Sequence, residues 1–302
     1  MRLKINTLII FLTLFSLHSS CQSVQVSSGK IETYSKFVSK YIDPRDVYIW
    51  LPENYDGTKS FSVLYMNDGS MLFDTSQTWN KQEWKVDETL AILSKEKELK
   101  NCIVVGIQNG GNKRFKEYYP QKSLNYINTD ARNELLKNEF NDQPLGDNYL
   151  LFITKELKPY IDKKYKTKSD QQNTFMAGSS MGGLISMYAI CEYPEIFSAV
   201  ACLSTHWVGS VKKKNDLIPE SFLDYLKVKI PNPKNHNFYF DYGTKTLDSL
   251  YEPYQLKVDT IFSKKGYSKN NYKSLKFDGE DHSEKSWSKR LDIPFRFVLR
   301  KE

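Results

Sequence analysis

Ser180, in Gly178-Ser179-Ser180-Met181-Gly182, is the side chain with the most chemistry to offer. A serine hydroxyl is a poor nucleophile at neutral pH and needs a base, which in turn needs an orienting acid. A G-x-S-x-G between a strand and a helix sets the serine on a tight, strained turn. The small residues two before and two after it let strand and helix pass closely. That spacing selects Ser180 over Ser179. Met181 then opens the helix, leaving its N–H free to donate to an oxyanion. Of four histidines, His18 lies near the N-terminus and His236 at a strand start beside a Pro-rich loop. His206 follows the strand after the elbow and, with Trp207, is a candidate substrate contact. His282, in Asp278-Gly279-Glu280-Asp281-His282-Ser283, follows the last strand, where the order Ser, acid, His puts the base. The acid belongs behind the strand at Phe238 to Asp241. Asp248 lies in a loop able to reach the histidine, Asp241 is expected on the strand or its turn, and Glu252 before Pro253 reads as a helix-start carboxylate. Asp248 is preferred, with the other two left open. Asp68-Gly69-Ser70 follows an early strand, and Gly69 allows a turn that aims the Ser70 N–H into the site as a second oxyanion donor. Asp68 and Arg114 complete the candidate substrate contacts.

These residues need elements to hold them. Asn173 to Ala177 reads as a short buried strand entering the elbow. Leu184, Tyr188 and Cys191 recur as the stripe of an amphipathic helix ending before Pro194. Residues 61–66, 103–107 and 199–203 are almost wholly apolar, as strands buried on both faces are. An antiparallel pair, 31–41 and 47–51, leads the chain, and 272–277 is the last strand. Helices are expected around Val86 to Leu93, over 149–165 with a kink at Pro159, around Val258 to Phe262, and within 283–299. Residues 108–148 should be loop and short helix, and 204–235 irregular, partly covering the site. Strands alternating with helices predict an α/β fold of the α/β-hydrolase kind, with a mostly parallel central sheet and helices on both faces. One domain, 31–302, accounts for everything after a tether at 22–30.

The formal charge of +7 is scattered, and its densest run, Lys212-Lys213-Lys214, has no basic-aromatic motif around it. That argues against a nucleic-acid site. Arg2 and Lys4 precede an apolar stretch from Ile5 to Leu17, and Ser19-Ser20 lead to Cys21. Residues 1–21 thus read as an export signal, periplasmic or cell-surface in destination. Cys21 after small residues resembles a lipobox cysteine, the candidate for lipidation and outer-membrane attachment, although His18 departs from the usual leucine. Cys102, Cys191 and Cys202 fit buried free thiols. No CxxC or Cys/His cluster suggests zinc, and no cofactor is expected.

The chain resembles the esterase D-like family of α/β-hydrolases, which includes enterochelin, feruloyl and acetyl xylan esterases. The similarity covers about residues 45 to 300. It rests on Val63 to Gly69, Arg114 to Pro120, Glu156 to Ile161, the elbow, and Gly279 to Ser283 with Trp287. The resemblance implies Ser180 as nucleophile, Asp248 as acid, His282 as base, and the N–H groups of Met181 and Ser70 as oxyanion hole. One departure is that family members place the acid closer behind the glycine than Gly243 to Asp248 here. The expected activity is serine-dependent hydrolysis of carboxylic esters through an acyl-enzyme, on acylated carbohydrate or siderophore-type substrates. The alternatives are a non-catalytic surface-binding lipoprotein of the same fold, or an acyltransferase.

Overall fold

The computed structural model describes residues 23–97, 99–141, 143–210 and 216–301. The expected signal with Cys21 and the Lys212 to Lys214 run lie outside the described residues. Eight strands form one sheet: β1 (Lys30–Phe37), β2 (Arg45–Leu51), β3 (Ser62–Asn67), β4 (Cys102–Ile107), β5 (Thr174–Ser179), β6 (Ala199–Leu203), β7 (Asn237–Gly243) and β8 (Tyr272–Phe277). Their order is β1-β2-β4-β3-β5-β6-β7-β8. β2 is antiparallel to both β1 and β4, and every other pairing is parallel. The fold is therefore the expected mostly parallel α/β sheet. Side chains alternate between its faces: Val63 and Tyr65 enter one core, Leu64 and Met66 the other. All of β3, β4, β5 and β6 is buried, which is why these stretches are almost without exposed-type residues.

The helices are α1 (Val86–Leu93), α2 (Arg114–Glu117), α3 (Thr129–Leu135), α4 (Gly146–Leu151), α5 (Lys158–Lys164), α6 (Met181–Glu192), α7 (Leu217–Lys229), α8 (Glu252–Lys264), α9 (Glu284–Ser288) and α10 (Asp292–Val298). Side chains of α1, α9 and α10 contribute to the core on one face, and those of α4 to α8 to the core on the other. Three local expectations are corrected. First, α6 is no amphipathic surface helix: every residue from Met181 to Cys191 is buried, because α7 covers it from outside. Second, residues 204–235 are not irregular throughout, since they contain the 13-residue α7, where Pro219 is accommodated in the first turn. Third, the last helix is two, α9 and α10. The helix carrying Pro159 is preceded by wide, π-type turns at Phe152–Leu157.

Of the stretch read as a tether, residues 24–29 are held against the domain. The Gln25 N–H donates to Asp74, the Ser27 N–H and hydroxyl to Asp87, and Trp50 Nε1–H to the Ser28 carbonyl. Cys102, Cys191 and Cys202 are free and buried. What the topology does for the site is local. β3 has β4 on one side and β5 on the other, so the chain exits from β3 and β5 stand side by side at a switch of winding direction. In open α/β sheets the crevice beyond such strand ends is where ligands bind.

Candidate active site

At the end of β5 the backbone reverses sharply. Ser180 has φ 56° and ψ −124°, a conformation that costs a non-glycine residue on the order of 1–3 kcal/mol. The surroundings hold it there. Ser180 N–H donates to the Leu203 carbonyl at 2.9 Å, and its own carbonyl accepts from the N–H groups of Gly183, Leu184 and His206. A methyl group at Gly178 would lie 2.6 Å from the Gly182 carbonyl oxygen, so strand and helix can pass only with glycine there. Beneath the turn sits Asn67, the polar end of otherwise apolar β3. Its amide donates to the carbonyls of Ala177 and Gly182 and to Ser186 Oγ, and its oxygen accepts from Tyr149. Asn67 ties β3, β5 and α6 into one block. Met181 is the first residue of α6, so no helical carbonyl is available to its N–H.

His282 is held from two sides. Its N–H donates to Thr246 Oγ1, and its ring Nδ1 lies 2.6 Å from Asp248 Oδ1. Asp248 is fully buried, and its other oxygen accepts from the Gly243 N–H and the Ser204 hydroxyl, each at 2.6 Å. Trp287 Nε1–H in turn donates to Ser204 Oγ, and the Trp287 ring stands edge-on to the imidazole, 5.1 Å between centroids. A side chain on Gly243 would strike the Glu280 carbonyl at 2.2 Å, so the glycine lets the Asp248 and His282 loops touch. With Nδ1 turned to the carboxylate, Nε2 is the nitrogen left for the cleft that His282 and Ser180 both line.

The other acid candidates have different work. Asp241 is on β7, buried, and paired with Arg290 at 2.9 Å, while also accepting from Tyr239. Its carboxyl is raised above the ordinary value because burial outweighs the arginine. Glu252 begins α8 and pairs with Lys276 at an exposed edge. Neither touches the imidazole.

The cleft holds about 670 Å³ and opens between the β3, β4 and β5 ends and the His282 turn. Its walls include Ser70, Gln108, Asn109, Arg114, Trp79 and Trp287. Asp68 and Arg114 meet there as a bidentate pair, at 2.7 and 2.8 Å, and Asn109 donates to the same carboxylate. That pairing raises the guanidinium above its ordinary value despite burial. One expectation fails here. His206 and Trp207 do not line the cleft: both are buried, His206 against the Tyr251 hydroxyl and Trp207 donating to Gln255. The residues following β6 turn inward under α8, not out to the mouth. Ser70 and Gln108 both line the cleft, and the Ser70 N–H donates to Gln108 Oε1 at 3.0 Å. Gln108 and Tyr251 are site residues the sequence reading missed. One sits just past a strand and the other just before a helix, positions where polar and aromatic residues are common for structural reasons.

Comparison with known proteins places this geometry. Two proteins of Bacillus subtilis (strain 168) align with the chain, "Uncharacterized protein YbbA" at 28% identity over 53% of this chain and "Uncharacterized protein YjcH" at 24% over 70%. The chain spans 56% of YbbA and 72% of YjcH. Among solved structures, a ferulic acid esterase matches with TM-score 0.64 at 19% identity, covering 89% of this chain and 98% of that one. An IroE-like serine hydrolase from Shewanella oneidensis matches with TM-score 0.64 at 19% identity, over 89% of this chain and 80% of that one. The enterobactin esterase FES from Shigella flexneri matches with TM-score 0.59 at 17% identity, over 91% and 60%. At these identities the likeness establishes the α/β-hydrolase fold. The family model described as "Putative esterase" matches residues 40–293, a span that contains every residue lining the cleft, and the chain belongs to that family.

Proposed function

We propose that this protein is a serine carboxylic-ester hydrolase in which Ser180, His282 and Asp248 act as nucleophile, base and acid. The observation that carries the reading is the 2.6 Å contact of His282 Nδ1 with buried Asp248, on the same cleft as a Ser180 held at positive φ. Asp248 fixes the imidazole with Nδ1 protonated, so Nε2 is a free base. Ser180 Oγ attacks the ester carbonyl carbon and gives its proton to Nε2. The C=O electron pair becomes an oxyanion, held by the Met181 N–H and by the Ser70 N–H once the substrate oxygen has taken that donor from Gln108. As the tetrahedral species collapses, the C–O bond breaks and the alcohol leaves with the proton from Nε2. Water, deprotonated by the same nitrogen, then attacks the acyl-enzyme and releases the acid and Ser180.

For substrate we propose an ester of a hydroxylated carrier, acylated carbohydrate or a siderophore-type ester. An exposed Trp79 at the rim and the side-chain amides of Asn80, Gln82, Gln108 and Asn109 suit stacking on, and hydrogen bonding to, a polyhydroxylated or catechol group. The names of the structurally similar ferulic acid and enterobactin esterases support the same two classes. We further propose export directed by residues 1–21, with Cys21 lipidated; labelling with a palmitate analogue, lost in Cys21→Ser, tests the anchor. The activity is tested by hydrolysis of an acetyl, feruloyl and catecholate-ester panel. Turnover of at least one class, abolished in Ser180→Ala, is expected. A folded wild type that hydrolyses none of them would overturn the proposal.

A further inference from the structure

Between Asp74 and Trp84 the chain runs without strand or helix, and it carries Trp79, Asn80 and Gln82 into the cleft wall. Trp79 is 84% exposed, the barest large apolar side chain among the described residues. An indole at a cleft mouth serves a flat ring best if the loop under it is already in place. Ordering one loop residue costs on the order of 1–2 kcal/mol of backbone entropy, so a platform held in advance binds more tightly. Three sets of contacts hold this loop. At its tip the Asn80 amide donates to Glu284 Oε2 at 2.8 Å, and Gln82 Oε1 accepts the Lys285 N–H at 3.1 Å, both on α9. At its exit the Trp84 N–H donates to the Met71 carbonyl at 3.0 Å, and the Trp84 and Trp287 rings lie 5.4 Å apart. At its entry the joint is Asp74, only 8% exposed. Its Oδ1 accepts the Ser76 N–H of the loop's own turn at 2.8 Å, and its Oδ2 accepts the Gln25 N–H at 2.9 Å. The segment around Gln25 is fastened on either side. The Ser27 N–H and hydroxyl donate to buried Asp87 of α1 at 2.6 and 2.9 Å, and Val24 and Val26 pack against the core that holds Trp84 and Trp287.

We propose that residues 24–28 are a strap that positions Trp79 as the docking platform for the ring of an aryl or glycosyl ester, with the Gln25–Asp74 bond as its decisive link. Trp79 lies between Asp74 and Asn80, so the entry and tip contacts bracket it. One carboxylate serves both the strap and the loop's turn. Losing the Gln25 N–H leaves one oxygen of a buried acid without its donor, and that acid gains by swinging toward water and taking the turn at Ser76 with it. Ser180, Asp248 and His282 are held by other elements. Binding of a ring should therefore depend on the strap, and bond-making should not.

This inference rests on the proposed esterase activity and adds what holds its ring-binding wall. The test compares Gln25→Pro, Gln25→Ala, Trp79→Ala and the combined Gln25→Pro, Trp79→Ala variant with the wild type, all as the full chain. Proline removes the N–H that Asp74 accepts, whereas alanine keeps it and removes only an exposed side chain. The substrates are methyl ferulate, an acetylated xyloside, a catecholate ester and methyl acetate, which has no ring. The readouts are kcat, KM and hydrogen–deuterium exchange over 74–82, with thermal unfolding confirming folded protein. On the ring-bearing esters that the wild type turns over, Gln25→Pro should raise KM about threefold to tenfold with kcat little changed, and Trp79→Ala should raise it about tenfold. Exchange over 74–82 should quicken in Gln25→Pro, while its methyl acetate kinetics, and every reading for Gln25→Ala, should match the wild type. In the Trp79→Ala background Gln25→Pro should add nothing to KM, because the platform is already gone. A folded Gln25→Pro with wild-type KM on the ring-bearing esters, or one whose KM penalty persists without Trp79, overturns this inference and leaves the serine mechanism standing. So does a wild type that hydrolyses methyl acetate alone. A folded wild type that hydrolyses none of the four overturns both.

Discussion

Asp248 shows how much depends on the atoms of one side chain. Its two oxygens divide the work: Oδ1 takes the His282 Nδ1–H, and Oδ2 is saturated by the Gly243 N–H and the Ser204 hydroxyl. Asparagine would fit the same space, but it would turn either an NH2 toward the imidazole or an NH2 toward two donors. The first choice favours the imidazole tautomer with its free lone pair on the wrong nitrogen, and the second sets donor against donor at the buried Gly243 N–H. Asp248→Asn is therefore expected to keep its fold and lose about a thousandfold or more in kcat. A loss under tenfold would mean the carboxylate is structural. At this scale the sequence was informative where chain order applies, and silent where partners are distant. Ser180, His282 and Asp248 could be nominated from their places behind three strands. Asp241 could not be set aside, because its partner Arg290 lies 49 positions away and no local pattern reveals the pair. His206 was misplaced for a similar reason, since strand alternation does not say whether the residue after a strand turns in or out.

The elbow is a property of three elements together. β5, α6 and β3 meet at Asn67, which makes three donor contacts and one acceptor contact without exposure to water. Replacing it by leucine keeps the volume but leaves the Gly182 carbonyl and the Tyr149 hydroxyl buried without these bonds. Asn67→Leu is expected to lower the unfolding free energy in urea by about 3 kcal/mol. A change below about 0.5 kcal/mol would show that Asn67 does not hold the block together. Periodicity located β5 and α6 well because their composition is so apolar. It misjudged the character of α6, since a helix buried all round still shows apolar residues at i, i+4 and i+7. The missing information was α7, whose pattern is interrupted by Pro219.

Across the whole molecule, buried titratable groups shape stability as well as chemistry. His206 has an ordinary value of 6.5 and a folded one near 3. Below about pH 6.5 the unfolded chain takes up a proton that the folded protein refuses, so this group's contribution is complete above that pH and drains away as pH falls toward 3. The wild type should lose urea stability over that window more steeply than His206→Asn, by up to the slope of one proton; equal slopes would contradict the buried neutral histidine. The mostly parallel character of the sheet was readable from the alternation of strands and helices, whereas the strand order, and with it the crevice between the β3 and β5 ends, was not. The docking of residues 24–29 through Asp74 and Asp87 was not readable, because Ser, Gln and Val in a run look the same free or bound.

The proposed mechanism requires an activated hydroxyl at Ser180. Its most direct measurement is intact-protein and peptide mass spectrometry after brief exposure to a fluorophosphonate at neutral pH. One adduct, on the peptide carrying Ser180, is expected; His282→Ala should slow its formation by at least about a thousandfold, and Ser180→Ala should abolish it. No adduct on folded wild-type protein, or one that forms as fast without the imidazole, would contradict it.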